Sequence, residues 1–156
     1  MYTDHVITSE EHNKWFEGVF TSDEKRYWII QLDSEDVGLV SITDIDRLNR
    51  SCFWAFYLAS PSVRGRGVGS FVEYSIITYV LDELGLNKLC CEVLTFNNVV
   101  IDMHKSFGFK QEGLFREQIF KQGQFYDVMR LALLKSEWQS IRPDIEQRLR
   151  DKGLIV

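Results

Sequence analysis

The 156-residue sequence predicts one α/β (α+β) domain, a mixed sheet built around a central strand–loop–helix unit and followed by a C-terminal helical tail. Three observations carry this expectation. Apolar runs at 27–32, 37–43 and 52–59 are separated by polar turns, as strands are. A glycine-rich segment at 64–69 stands between the third of these runs and a helical pattern. Beyond it, strand-like and helix-like segments alternate with no repeat and no low-complexity linker.

Thr8 and Glu11 have capping-box spacing, and Trp15, Phe16, Val19 and Phe20 recur at helical spacing behind them, with Gly18 weakening the helix near its end. Residues 27–32 and 37–43 form a hairpin across a polar turn at 33–36; a polar connection, 44–51, precedes the aromatic-rich strand 52–59. Pro61 ends that strand, having no N–H for the ladder. A helix over about 70–84 is expected to bury Phe71, Val72, Ile76, Val80 and Leu84, with Gly85 and Asn87 stopping it. Residues 88–94 read as a fourth strand, 98–107 as a helix and 109–120 as a fifth strand. The turn Gln122-Gly123-Gln124 leads into a last strand, 125–134. Ser136 with Gln139 is a second capping-box candidate, and Pro143 is expected to interrupt or restart the amphipathic helix that follows.

A net charge of −5 argues against nonspecific nucleic-acid binding, but local backbone N–H groups can still hold a phosphate. No apolar run reaches the ~20 residues of a membrane span, and the opening does not read as a signal segment. Cys52, Cys90 and Cys91 lack metal or redox spacing and fit small buried hydrophobes in a reducing cytosol, so no metal and a cytoplasmic location are expected.

Arg64-Gly65-Arg66-Gly67-Val68-Gly69-Ser70 is the most informative segment. Glycines let a backbone turn sharply and approach a ligand, and the first amides of a helix have no internal partners. With the helix dipole added, such a turn binds pyrophosphate, and Arg64 and Arg66 can add charge-assisted contacts. The plainer reading is a tight connection. A P-loop needs a terminal Gly-Lys-Ser/Thr, which is absent, and the mid-chain Arg-x-x-Gly-x-Gly spacing is not a Rossmann fingerprint.

That spacing resembles the acetyl-CoA motif of the GNAT superfamily. A second match follows at the right distance, in Glu92-Val93-Leu94, Asn97 and the run from Val100 to Phe109. The resemblance covers residues 1 to about 138. It implies the GNAT fold, a mixed, mostly antiparallel twisted sheet flanked by helices, and direct acetyl transfer from acetyl-CoA to an amine in a ternary complex. It also implies that Gly65, Gly67, Val68, Gly69 and Ser70 hold the pyrophosphate, while Leu58 and Ala59 pair with pantetheine amides.

The opening Met1-Tyr2-Thr3-Asp4-His5-Val6-Ile7, with Glu11-His12, Trp15-Phe16, Ser41-Ile42-Thr43 and Phe56-Tyr57, is similar to the N-acetyltransferases of pseudaminic acid biosynthesis and flagellin glycosylation. Those enzymes act on the 4-amino group of UDP-4-amino-4,6-dideoxy-N-acetyl-β-L-altrosamine, so the implied partner is a small molecule, a UDP-linked amino sugar. No nucleic acid or membrane partner is expected, and a homodimer is compatible with the reading. In that family a first strand and a helix with an Arg-Asn pair precede the Met-Tyr element; this chain is expected to lack both.

Each side chain then has two readings. Glu92, in the apolar strand 89–94, is a general base or a salt-bridged carboxylate. His104 stands where the resemblance puts the tyrosine that protonates CoA sulfur; it is that acid or a packed core residue. Asn97 orients pantetheine or caps a helix. His12 and Trp15 line a nucleotide-sugar pocket or belong to the core, as do Tyr2 and Tyr57. Ser41 and Thr43 share one strand face and address a ligand or solvent. Two other functions remain open: a GNAT acting on a protein N-terminus or another small amine, and an inactive acyl-CoA-binding module.

Overall fold

A computed structural model describes residues 5–20, 22–59, 63 and 65–156, with only the backbone of Phe20. Tyr2 and Arg64 lie outside the described residues, as does Pro61. The first helix, α1 (Ser9–Phe20), opens on the expected reciprocal cap: Glu11 N–H donates to Thr8 Oγ1 (3.2 Å) and Thr8 N–H to Glu11 Oε2 (2.8 Å). The helix does not join the core, since its aromatic face remains solvent-accessible.

Six strands follow: β1 (Arg26–Leu32), β2 (Glu35–Asp46), β3 (Ser51–Leu58), β4 (Lys88–Leu94), β5 (Lys110–Lys121) and β6 (Gln124–Leu134). They form one sheet in the order β1-β2-β3-β4-β6-β5, antiparallel throughout except for the β3–β4 pair. The parallel pair needs a crossover, supplied by α2 (Val68–Thr78) and a π-helical continuation over Tyr79–Glu83. Helix α3 (Asn98–Ser106) joins β4 to β5, and α4 (Lys135–Asp151) closes the chain.

The β1–β2 turn is tighter than the polar segment 33–36 suggests. Asp33 (φ 52°) and Ser34 (φ 68°) alone make it, both left-handed, as a two-residue hairpin favours. Ser34→Gly relieves strain of about 1 kcal/mol, partly offset by glycine's freedom in the unfolded chain. A net gain of about 0.5 kcal/mol is expected, visible as a higher urea midpoint.

Alternation divides the sheet into two faces. Ile42, Trp54, Leu89, Cys91, Leu131 and Leu133 point to the helix-covered face and build the core with Val72, Ile76, Ile77 and Val80 of the crossover. The opposite face carries Ser41, Thr43, Phe53, Tyr57, Glu92 and Arg130 beside α1. The cysteines are buried free thiols; burial first and Cys90 second push the Cys52 thiol up to about 12.

Three expectations need correction. Phe71 is 48% exposed, because Val72, Ile76 and Val80 take the inward stripe and leave it on the flank. Pro143 does not break α4, which runs unbroken past it; proline removes one N–H and the remaining packing holds the axis. Nor do Ser136 and Gln139 open that helix: Glu137 accepts from the Leu134 N–H at 3.0 Å.

Candidate active site

The decisive geometry lies where β3 and β4 part. They pair only over Ser51–Lys88, Cys52–Leu89 and Phe53–Cys90, yet both strands continue, to Leu58 and Leu94. Beyond that point a gap opens between them. The Ala59 N–H donates to Val37 O (2.8 Å) across the Gly38–Leu58 register, which makes Gly38–Leu58 a non-hydrogen-bonded pair. Leu58 therefore turns its own N–H and C=O away from β2, toward the gap. Of the two residues expected to face pantetheine amides, Leu58 turns both backbone groups to the gap, whereas the Ala59 N–H is already used by Val37.

At the gap's end the chain turns into α2. Gly65 (φ 76°) and Gly67 (φ 80°) are both left-handed, and Gly67 is the N-cap with no side-chain cap bond. The first intrahelical bond runs from Phe71 N–H to Gly67 O, so the Val68, Gly69 and Ser70 amides have no helical acceptor. A Cβ on Gly67 would meet the Leu154 side chain at 2.4 Å, so a bare α-carbon is needed. A Cβ on Gly69 would stand in ordinary contact, 3.4 Å from Met103 sulfur on α3. Arg66 bonds Asp33 at 3.1 Å on the hairpin, both exposed, and so closes the loop against β1–β2.

Glu92 is the salt-bridged carboxylate, one of its two readings. Arg130, its β6 partner in register, holds Glu92 Oε1 through Nη2 (2.6 Å) and Nε (3.2 Å). The guanidinium stacks on Phe53 (4.5 Å) and Phe115 (5.3 Å). His104 sits on the opposite face at 3% exposure, its Nδ1 2.8 Å from Glu73 Oε1 and its ring 5.2 Å from Trp54. Trp54 is the first β3 residue past the last β3–β4 pair, so His104 borders the gap. Asn97 makes no side-chain cap bond; its carbonyl accepts from Val100 and Ile101, and its exposed amide stays outside the helix.

The acceptor-side residues collect on the outer face. Trp15 stands edge-on to Tyr27 (5.0 Å), and His12 lies 5.5 Å from Trp15. Trp15 is 42% and Tyr57 59% exposed, which excludes the core reading for both. Ser41 Oγ donates to Ala55 O (3.4 Å) and Thr43 Oγ1 to Asp44 (3.2 Å). Residues 1–110 match the model described as Acetyltransferase (GNAT) domain.

The chain belongs to that family.

GNAT acetyltransferases use acetyl-CoA, and the described residues fit that donor: helix-opening amides with no helical acceptor for the pyrophosphate, and a strand edge beyond the three β3–β4 pairs for the pantetheine. The chain is 30% identical over 81% of its length to an uncharacterized SPbeta prophage-derived N-acetyltransferase, YokL, of Bacillus subtilis (strain 168), spanning 71% of it. It is 26% identical to the spermidine N(1)-acetyltransferase of Vibrio cholerae over 74% of this chain and 66% of the relative. Identity to acetyltransferase PseH of Campylobacter jejuni is 25%, over 64% of this chain and 60% of that one. Among solved structures, Vibrio cholerae spermidine N-acetyltransferase with CoA and spermine superposes with a TM-score of 0.81 at 21% identity, covering 88% and 82% of the two chains. At that identity the likeness speaks for the fold alone.

Two partners escaped sequence reasoning. Arg130 carried no local sign, being brought to Glu92 only by β-pairing. Glu73 did carry one: it lies three and four residues before Ile76 and Ile77, on the buried stripe of α2, where a carboxylate needs a partner. Among the described residues, no helix is long and apolar enough to cross a membrane.

Proposed function

We propose that this protein transfers acetyl directly from acetyl-CoA to the 4-amino group of a UDP-linked amino sugar in the cytoplasm. The observation that carries the acceptor is the outer face, which bears exposed Tyr57 on β3 and Ser41 and Thr43 on β2, with His12 and Trp15 of α1 set against Tyr27 on β1. Aromatic rings with polar tips suit a base and a sugar: the indole stacks while hydroxyls and imidazole address oxygen.

In this reading Val68, Gly69 and Ser70 amides hold the pyrophosphate and Leu58 holds the pantetheine, placing the thioester carbonyl at the mouth of the gap. Glu92, oriented by Arg130, takes the proton shed by the attacking amine, directly or through water. His104 protonates the departing sulfur from the other side of the sheet edge.

A polyamine acceptor is the second reading, favoured by the named activity of the Vibrio cholerae relative. Thiol release from acetyl-CoA, followed with the UDP-4-amino sugar, with spermidine and with a peptide amine, separates them. Turnover of the sugar is expected to exceed the others by at least about tenfold in kcat/KM. Preference for spermidine or the peptide overturns the acceptor assignment, and acetyl-CoA binding without turnover of any amine marks an inactive acyl-CoA-binding module. Trp15→Ala is expected to raise KM for the sugar about tenfold and leave acetyl-CoA affinity unchanged, because its indole touches only the acceptor face.

A further inference from the structure

Glu73 and His104 form a buried hydrogen-bonded couple, with 0% and 4% of their side chains exposed. Glu73 comes from α2, whose N-terminus carries the phosphate-binding amides, and His104 from α3. Nδ1 faces Glu73 Oε1 at 2.8 Å, which leaves Nε2 as the ring nitrogen turned away from the carboxyl. We propose that Glu73 is a positioning residue that keeps a proton on His104 Nε2, so that the imidazole presents an acid to the departing CoA sulfur. This rests on His104 being the proton donor, as set out above.

Counting protons makes the case. A couple of zero net charge has three forms: a carboxylate with an imidazolium, a carboxylic acid with a neutral imidazole whose Nδ1 accepts, or a carboxylic acid protonated on Oε2 that receives Nδ1–H on Oε1. The first two carry hydrogen on Nε2; the third would place an O–H on Oε2, which is buried with no partner among the described residues, and is disfavoured. The couple of charge −1, a carboxylate receiving Nδ1–H, also bares Nε2.

The surroundings disfavour the charged couple. Trp54 and Phe109 pack on the imidazole, with ring centroids 5.2 and 5.5 Å away. Glu73 Oε2 is buried with no hydrogen-bond donor among the described residues, so a full negative charge there is poorly met. Burial pushes the Glu73 carboxyl up, opposed by the His104 hydrogen bond and by the more distant positive charge of Arg148 on α4. Cys91, facing the couple from β4, is held neutral by burial, so it supplies no compensating charge. Arg148 is spent on the Ser106 carbonyl (3.1 Å) and the Phe107 ring (5.2 Å).

The step balances. The amine nitrogen bonds to the acetyl carbon, the carbon–sulfur bond breaks, and sulfur takes the Nε2 proton. The couple passes to charge −1 with its remaining proton on Nδ1. The proton lost by the amine leaves through Glu92 and solvent, and the couple recovers one from solvent before the next cycle. Glu73 touches no reacting atom, so its effect appears in protonation rather than in binding.

The first test needs no variant: 15N spectra of the imidazole in the wild-type chain with acetyl-CoA bound. Protonated Nε2 at neutral pH is expected; a bare Nε2 there overturns the proposal. Kinetics supply the second, with acetyl-CoA and whichever of the UDP-amino sugar or spermidine the wild type turns over. Glu73→Gln should lower kcat at least about tenfold, move the alkaline limb of the kcat profile to lower pH, and leave KM for acetyl-CoA within about twofold. Unchanged kcat and an unmoved limb overturn it. His104→Gln separates the two claims: if that variant keeps wild-type kcat, the proton-donor reading itself falls. If His104→Gln is impaired and Glu73→Gln is not, only the role of Glu73 falls.

Discussion

Gly67→Asp is expected to abolish measurable acetyl-CoA binding, a loss of at least about a hundredfold, or 2.7 kcal/mol. Two effects coincide at this position. The new carboxylate stands beside the Val68, Gly69 and Ser70 amides, where it competes with the pyrophosphate as a hydrogen-bond acceptor and repels its charge. The backbone also sits at φ 80°, which costs a residue with a Cβ about 1 kcal/mol, and that Cβ collides with the Leu154 side chain. Gly65→Ala separates the causes. Its φ of 76° carries the same strain, but nothing lies within 4 Å of the added Cβ. Calorimetric titration should show Gly65→Ala binding within about tenfold of wild type and Gly67→Asp not at all. Wild-type affinity in Gly67→Asp means that the turn does not hold the donor.

Trp138→Ala should cost about 3–5 kcal/mol, a large share of the 5–15 kcal/mol that stabilises a typical domain. Trp138 is fully buried, its ring lies 6.0 Å from Tyr74 on α2, and its indole N–H reaches Asp82 at 3.4 Å. Ile145 and Leu149 bury on the same side of α4. Around them, Arg142 pairs with Asp82 (2.9 Å) and Glu146 (2.6 Å), and Tyr74 donates to Glu146. Helix α4 therefore braces the crossover that presents the phosphate-binding amides. Urea denaturation should show the lost midpoint, and acetyl-CoA affinity should fall along with it. A change below about 1 kcal/mol would mean that α4 does not brace the crossover.

Much of the architecture was legible residue by residue. Alternation marked every strand, and the fourth, Lys88–Leu94, falls on the expected residues because apolar side chains on both faces bound it sharply. The capping pair Thr8–Glu11 and the left-handed glycines of the phosphate turn were readable because such signals are local. Boundaries slipped where tertiary contacts extend an element: β2 runs on to Asp46 across a register shift that no turn residue announces.

The site divides along the same line. The sequence alone singled out the turn proposed to hold the donor, since a glycine turn opening a helix makes an anion site from consecutive amides, and also which polar residues stood out. Only the tertiary structure decided what those residues face. Register brought Arg130 to Glu92, 38 positions away, and helix packing brought Glu73 to His104, 31 positions away. A periodic pattern shows that a side chain is buried, but not which neighbour meets it there. For an ionisable group the neighbour sets the chemistry, because inside a protein the energy of a charge depends on its partner more than on its own identity.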